Sequence, residues 1–347
     1  MLRKRVRPAP SFMLWTGGLL AALLVSMAFG VVIGSADLSL RTVFDAILGR
    51  LGSGSGVNVL DEHIVVDLRL PRVVGAAVVG AGLAVCGAVL QSLTGNQLAD
   101  PYILGMSGGA ALGASVVLST GLGLGIMSGG PVVSVAAFIG AMAALLLVFA
   151  IAVTRGGALL PGRLILAGVA VGQLAAALSS GLIYFGPHGT AERVMFWSLG
   201  SVAGVRWNTL ALSAAVTGVT VVVVLFYART LDTFAFGERA AAGLGTDISR
   251  TRWILYALVS LCTAVLVAMS GIIGFVGLVI PHAVRFLVGP LHARVLPLAI
   301  VMGALIVVWS DIVARSLLPA RELPLGLVTS AIGVPAFIWL LRQKGTE

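Results

Sequence analysis

Charged residues are scarce in this sequence, since only 10% of its 347 residues are Asp, Glu, Lys or Arg. Soluble domains carry about 25% charged residues, so water is not the main solvent of a chain that is 59% hydrophobic. Apolar stretches of roughly 20 residues recur along nearly the whole length and predict membrane-spanning helices. We therefore predict an all-α integral membrane protein with about ten transmembrane helices in a single domain, residues 1–347. The predicted spans are residues 12–34, 70–93, 102–120, 131–154, 163–185, 206–227, 252–270, 273–289, 294–314 and 325–342.

Lysine occurs only twice, as Lys4 and Lys344, and the sequence has no Gly-x-x-x-x-Gly-Lys-Ser/Thr loop for binding phosphate. We expect this chain not to hydrolyse ATP and to carry no cofactor of its own. The predicted spans also have few carboxylates, and Asp311 near the outer end of the ninth span is the main exception. Ion-coupled carriers usually keep ionisable groups at mid-membrane, and a membrane enzyme needs a polar catalytic cluster. Both alternatives are disfavoured, so the energy for transport is expected to come from a partner.

Cysteine and histidine are also few, and none of them has the spacing of a metal site. Cys86 and Cys262 fall within predicted spans and are interpreted as small buried residues. His63 and His188 lie outside the spans, and His282 is expected to bond a neighbouring helix rather than to ligate iron or heme. No metal site is predicted.

The net charge of +9 reflects topology rather than affinity for nucleic acid, because the basic residues lie between predicted spans. With ten spans, four groups of these basic residues face the same side, which the positive-inside rule makes cytoplasmic, together with both chain termini. Residues 35–67 carry five carboxylates and suit the outer face. The basic groups are Arg3, Lys4, Arg5 and Arg7; Arg155 and Arg163; Arg229, Arg239, Arg250 and Arg252; and Arg342 and Lys344.

A break in one apolar helix is the most specific local feature. The helix through Gly82 ends in a short polar loop at residues 94–101 and resumes at Tyr102. A membrane tolerates such a break only where protein or a water-filled cavity satisfies the freed backbone groups, so this segment is predicted to line a pathway. Gly105, Gly109 and Gly113 follow at four-residue spacing, which predicts close helix packing. Residues 192–200 are predicted to form a short interfacial helix.

Six motifs occur in a fixed order and together closely resemble the FecCD family, the permease subunits of type II ABC importers for ferric siderophores, heme and cobalamin. The resemblance covers nearly the entire chain. It implies the type II ABC importer permease fold, a homodimer of ten-helix subunits in the bacterial inner membrane, two cytoplasmic ATPase subunits that bind ATP and Mg, and a periplasmic substrate-binding protein. The motifs are Arg69–Arg72, Gly82–Gly113, Gly237–Gly245, Gly271–His282, Asp311–Arg315 and Glu322–Gly326.

The resemblance also implies roles for individual residues. Three outer arginines are expected to receive acidic residues of the binding protein, although the arginines could instead snorkel to lipid phosphate. A coupling segment at about residues 231–249 is expected to contact the ATPase, with a merely solvated loop as the alternative. Two turns are expected to form the cytoplasmic gate, where Gln97 stands in place of the usual proline and relaxes the turn. The residues are Arg69, Arg72 and Arg315 for docking; Gly237, Glu238, Arg239, Ala240, Ala241, Gly243, Leu244 and Gly245 for coupling; and Asn96, Leu98, Leu160, Pro161 and Gly162 for the gate.

The expected substrate is a bulky iron chelate. Heme is the first choice, a ferric siderophore the second and cobalamin the third. No residue in the sequence distinguishes these three with any force.

Overall fold

The structure is a computed structural model that describes residues 12–34, 38–49, 58–122, 130–318 and 321–344. Arg3, Lys4, Arg5, Arg7 and the Gly/Ser-rich stretch 51–56 lie outside the described residues. The helices are α1 (Phe12–Val32), α2 (Leu40–Leu48), α3 (Val59–His63), α4 (Leu70–Thr94), α5 (Met106–Thr120), α6 (Gly130–Ala152), α7 (Pro161–Phe185), α8 (Thr190–Ser198), α9 (Trp207–Phe226), α10 (Ala228–Phe234), α11 (Glu238–Gly243), α12 (Ile248–Ser270), α13 (Val276–Val288), α14 (His292–Ser316) and α15 (Leu325–Lys344). A π-helical turn, Ile64–Arg69, joins α3 to α4, and a 3-10 turn, Pro101–Leu104, precedes α5.

Each predicted span falls on a helix, and the prediction of an all-α membrane protein is confirmed. Seven helices are long and apolar enough to cross a membrane, and they run over Phe12–Val32, Val59–Thr94, Gly130–Ala152, Pro161–Phe185, Trp207–Phe226, Ile248–Ser270 and His292–Ser316. The other three are shorter apolar helices, Met106–Thr120, Val276–Val288 and Leu325–Leu340. The first two of these follow directly on broken backbone, which accounts for their reduced length.

The outer segment before α4 holds more structure than its hydrophilic composition indicated. Helix α2 begins after Ser39, whose side chain accepts a hydrogen bond from the backbone N of Thr42 at 3.1 Å. Val43 and Ala46 are buried on one face of α2. A nine-residue amphipathic helix is too short to produce the 20-residue apolar signal of a span, so it went unpredicted. The short helix predicted at residues 192–200 is present as α8, Thr190–Ser198.

Helix α4 is buried along most of its length and packs against α9, α12, α13 and α14. Two of its glycines permit backbone contact. A side chain at Gly80 would overlap the carbonyl oxygen of Gly303 on α14, and one at Gly87 would overlap that of Gly277 on α13. Gly109 on α5 meets Gly140 on α6 in the same manner. The close packing predicted from the glycine spacing is thus observed.

Two interruptions of helical backbone meet beside α4. The first lies before α5 at residues 95–105, and the second lies between α12 and α13 at residues 271–275. The Tyr102 hydroxyl donates to the carbonyl of Ile273 and accepts from its backbone N, both at 3.1 Å. Phe275 has φ 68, a left-handed conformation that costs a bulky residue about 1–3 kcal/mol. The Tyr102 hydroxyl therefore satisfies both backbone polar groups of Ile273, one of the residues freed by the second break.

Candidate functional site

Arg72 is the centre of an ion-pair cluster at the predicted outer end of the bundle. Its Nε and Nη2 donate to Oδ1 of Asp311 on α14, at 3.0 and 2.9 Å. Its Nη1 and Nη2 donate to Glu322, at 2.8 and 3.0 Å. Asp311 is buried, whereas the Glu322 side chain is 49% exposed. Each edge of the Arg72 guanidinium therefore holds one carboxylate, in the bidentate geometry that makes such pairs strong.

Arg69 and Arg315 close the end of α1. The last four carbonyls of a helix lack intrahelical partners. In α1 one of these, Phe29 O, accepts from the backbone N of Ile33 at 2.9 Å. Arg69 Nη1 donates to the carbonyls of Val31 and Val32, at 3.0 and 2.7 Å. Arg315 Nη2 donates to the carbonyl of Gly30 at 2.7 Å. Basic side chains in these positions also complement the negative end of the helix dipole.

The structure brings the three predicted docking arginines together and engages each of them within the chain. Arg69 is buried, and the Arg315 side chain is buried with its Nε 3.4 Å from Asp311 Oδ2. The hydrogen bond from Arg72 holds the pKa of Glu322 below its ordinary value. Sequence reasoning placed Glu322 in a motif but missed its contact with Arg72. Docking of an acidic partner here stays a prediction, and such a partner would compete with Glu322.

The predicted coupling segment forms two short helices, α10 and α11, with Gly237 between them at φ 87 and ψ 162. Phe236 and Leu244 are 74% and 67% exposed, so two large apolar side chains flank α11. The other proposed contact residues are exposed except Ala241, which is buried. The exposed ones are Gly237, Glu238, Arg239, Ala240, Gly243 and Gly245.

One charged contact anchors α11 to the bundle. Glu238 accepts from Nη2 of Arg252 on α12 at 2.7 Å. The Arg252 guanidinium also lies 5.7 Å from the ring centre of Phe234, within the range of a cation–π contact. This pair fixes α11 against α12 while its apolar neighbours face outward. The segment is thus helical rather than a loop, with α10 packed on the bundle and exposed apolar side chains on either side of α11.

The predicted gate residues occupy two turns at helix ends. Leu98 N bonds Oδ1 of Asn96 at 2.9 Å, and Leu98 is exposed, in the turn that follows α4. Leu160 is exposed immediately before Pro161, the first residue of α7, and Gly162 follows. Gln97 is exposed in the first turn. The structure places both turns at helix ends, and their role as a gate stays a prediction.

Asp100 joins the first gate turn to the 3-10 turn. Its Oδ1 accepts from the backbone N of Tyr102 at 2.9 Å, as the side chain of an N-cap residue. Removal from water raises the pKa of this carboxyl to about 6, and the bond from Tyr102 opposes the rise. The carboxyl therefore titrates close to neutral pH beside the gate turn. No sequence signal singled it out, because its burial depends on tertiary packing.

Sequence reasoning also missed a polar group at the end of α4 opposite to Arg72. His292, the first residue of α14, lies between Asp232 on α10 and Ser92 on α4. Beside it, Arg285 on α13 donates to Gln91 on α4, and Gln91 donates to the carbonyl of Leu278 at 3.1 Å. These residues are far apart in sequence, and single polar residues at helix ends are common, so the pattern carries no recognisable spacing.

Comparison with known proteins gives matches along nearly the whole chain. The model of the FecCD transport family matches residues 22–343. The vitamin B12 import system permease protein BtuC of Vibrio vulnificus is 40% identical, and the match covers 93% of this chain and 94% of that protein. The hemin transport system permease protein HmuU of Yersinia pestis is 36% identical, over 97% and 98% of the two chains.

A solved structure described as an inward-facing conformation of a metal-chelate type ABC transporter has the same fold. It matches with a TM-score of 0.81 at 30% identity, covering 94% of this chain and 98% of that one. The helices α10 and α11, the broken helices beside α4 and the outer arginine cluster all lie inside the matched range 22–343. The chain belongs to the FecCD transport family.

Proposed function

We propose that this protein is the membrane-spanning permease subunit of an ATP-driven importer that carries a bulky metal chelate from a periplasmic binding protein to the cytoplasm. The observation that carries the proposal is the family match across residues 22–343, over a fold with broken helices beside its central helix α4. The subunit would alternate between outward-open and inward-open states as ATP is bound and hydrolysed elsewhere. Asp311 is paired with Arg72 and is not offered as a ligand for a coupling ion, which disfavours an ion-coupled carrier.

The proposed energy source is a pair of ATPase subunits that bind ATP and Mg at the cytoplasmic side. The segment α10–α11 supports this assignment, because exposed Phe236 and Leu244 are suited to the apolar core of a protein interface. Glu238 and Arg239 lie at the beginning of α11 and would form part of the polar rim. The chain itself is proposed to be non-catalytic.

The proposed assembly contains a second copy of this chain and one substrate-binding protein on the outer face, in the bacterial inner membrane with both termini cytoplasmic. The family membership supports the homodimer. The cluster around Arg72 supports acidic docking, since its three arginines outnumber its two carboxylates, Asp311 and Glu322. The excess positive charge would attract the carboxylates of a partner.

Two of the three candidate chelates appear in the names of the relatives described above. Heme is the first choice from the sequence, and a relative named for hemin transport is 36% identical. A relative named for vitamin B12 import is 40% identical, so we place cobalamin ahead of heme and of ferric siderophores. All three are bulky metal chelates.

Uptake by a strain that lacks this permease tests the proposal. The strain is supplied with labelled cobalamin, heme or a ferric hydroxamate, with and without the restored chain. We expect uptake of one chelate to depend on this chain and on an intact ATPase partner. Uptake of cobalamin alone would support the preferred substrate, and uptake of heme or hydroxamate alone would replace it. Dependence on an ion gradient without any ATPase would contradict the proposed mechanism.

A further inference from the structure

Three side chains form a continuous hydrogen-bonded chain between the coupling segment and the helix that leads to the gate. Oδ1 of Asp232 on α10 accepts from the backbone N of His292 at 2.9 Å and from its Nδ1 at 2.6 Å. The other ring nitrogen, Nε2, lies 2.5 Å from Oγ of Ser92. Ser92 is in the last turn of α4, four residues before Asn96 of the gate turn.

The contact between Asp232 and His292 attaches one helix to the beginning of another. The first backbone N–H groups of a helix have no intrahelical partner. His292 is the first residue of α14, and its N–H is satisfied by the Asp232 carboxylate of α10 rather than by a residue of its own chain segment. A displacement of α10 therefore acts on the backbone at the beginning of α14 through one short side chain, that of Asp232.

The second contact transfers the constraint from α14 to α4. His292 is buried, and its ring joins two partners through opposite nitrogens, so its orientation is fixed from both sides. Ser92 Oγ also lies 2.9 Å from the carbonyl oxygen of Ala88, so its single proton is donated either to that carbonyl or to Nε2 of His292. Hydrogen bonds that are linked in this way and buried from water are stronger than the same bonds exposed to solvent.

The coupling segment has a second polar contact, and it leads elsewhere. Glu238 on α11 pairs with Arg252 of α12 and so attaches α11 to that helix. Among the residues that the structure describes, the path through His292 is the one that connects α10 to the end of α4 by side-chain hydrogen bonds. The Glu238–Arg252 pair therefore attaches the coupling segment to α12, and the contacts through His292 connect it to α4, the helix that leads to the gate turn.

We propose that Asp232, His292 and Ser92 are positioning residues that convey the movement of the coupling segment to the gate turn at Asn96. The inference rests on the proposed function, because it requires an ATPase to engage α10 and α11. When the coupling segment moves, these hydrogen bonds displace the beginning of α14 and, with it, the last turn of α4. The gate turn, which follows α4 directly, then moves as well. None of the three residues needs to contact substrate.

Ser92→Ala removes the last contact while leaving the helix intact. The matched control is Ser115→Ala, because Ser115 Oγ on α5 makes the same type of bond to a carbonyl four residues earlier, Ala111 O at 2.7 Å. Ser92→Thr keeps the hydroxyl and serves as the conservative replacement. The complete complex in proteoliposomes is assayed for chelate moved and ATP hydrolysed, using the chelate that the wild type transports.

We expect Ser92→Ala to lower the chelate moved per ATP about fivefold, as for the loss of one hydrogen bond, with ATP hydrolysis within about twofold of the wild type. Ser92→Thr and Ser115→Ala should keep the wild-type ratio. An unchanged ratio in Ser92→Ala would overturn the inference. A wild-type complex that moves no chelate with ATP would instead overturn the proposed function.

Hydrogen exchange gives a second measurement that needs no partner. In the full-length permease in detergent, Ser92→Ala should raise amide exchange in residues 95–99 about fivefold, because the turn opens more often without its anchor. Ser115→Ala should leave that exchange unchanged. Equal amide protection of residues 95–99 in the wild type and Ser92→Ala would overturn the inference, even if no transport is measured for the complex.

Discussion

Asp100 is a single carboxyl whose surroundings make the protein sensitive to pH. Its pKa in the folded chain is about 6, against an ordinary value of 3.8, so the folded chain binds more protons between these values than the unfolded chain does. The free energy of unfolding therefore falls as pH rises through about 4 to 6, and this contribution is constant at higher pH. Asp100→Asn keeps an oxygen to accept from Tyr102 N but cannot ionise.

We expect the melting temperature of the wild type in detergent to fall more steeply between about pH 4 and pH 6 than that of Asp100→Asn. The difference between the two proteins should be largest at the higher pH, where the wild-type carboxyl is charged. Thermal melts at a series of pH values measure it. Parallel pH profiles of the two proteins would contradict the assignment of this carboxyl as a buried titrating group.

The outer cluster changes how acidic docking should be tested. Reversing Arg72 to Glu would place a carboxylate beside buried Asp311, and reversing Arg69 would place one beside the last carbonyls of α1, so both changes would disturb folding as well as docking. Glu322→Gln is the sharper change, because it weakens the competing bond on one edge of Arg72 without burying a charge. A carboxylate of the binding protein could then occupy that edge.

We expect Glu322→Gln to increase affinity for the substrate-binding protein about threefold, and the increase should be larger at low salt, where exposed charges are screened less. Surface capture of the binding protein at two salt concentrations measures this. The control is Glu192→Gln, which removes an exposed carboxylate from α8 that does not contact Arg72. Equal effects of the two variants would show that general charge, and not release of Arg72, controls docking.

At the scale of helices, the crossing of α4 with α13 depends on a position without a side chain. Gly87 lies against the backbone of Gly277, and an alanine there would force the two helices apart. We expect Gly87→Ala to destabilise the fold by about 1–3 kcal/mol through overpacking. Gly218→Ala on α9 is the control, because a Cβ at Gly218 meets no atom within 4 Å and alanine favours helix. Thermal melts should separate the two variants, and similar melting temperatures would contradict this account of the crossing.

The helices show what sequence alone could and could not predict. Long apolar runs predicted the seven membrane-length helices, because a helix that spans a bilayer needs about 20 consecutive apolar residues. Short amphipathic α2 produced no such run. The bond of Tyr102 to Ile273 and the chain from Asp232 to Ser92 join residues far apart in sequence, so neither local composition nor spacing reports them. The family motifs located the outer arginines and the coupling segment but not the internal partners of either.

At the scale of the whole molecule, the two polar ends of the bundle are organised differently. Around Arg72 the arginines bind Asp311, Glu322 and the last carbonyls of α1, so that end ties α1, α4 and α14 together. Around His292 the hydrogen bonds connect separate helices in series, ending at a turn. A force on α10 is therefore expected to move one end while the other end stays assembled, as alternating access between two sides requires.

This arrangement requires α2 and α11 to lie on opposite sides of the membrane, with α11 cytoplasmic. The native cysteines Cys86 and Cys262 are both fully buried, so an introduced cysteine would be the accessible thiol among the residues that the structure describes. Arg41 on α2 has a side chain that is 91% exposed, and Arg239 on α11 is exposed. A membrane-impermeant maleimide applied to spheroplasts should label Arg41→Cys and leave Arg239→Cys unlabelled until the membrane is opened. The wild type should stay unlabelled in both conditions. Labelling of Arg239→Cys in intact spheroplasts would reverse the topology, and the coupling segment would then face away from any cytoplasmic ATPase.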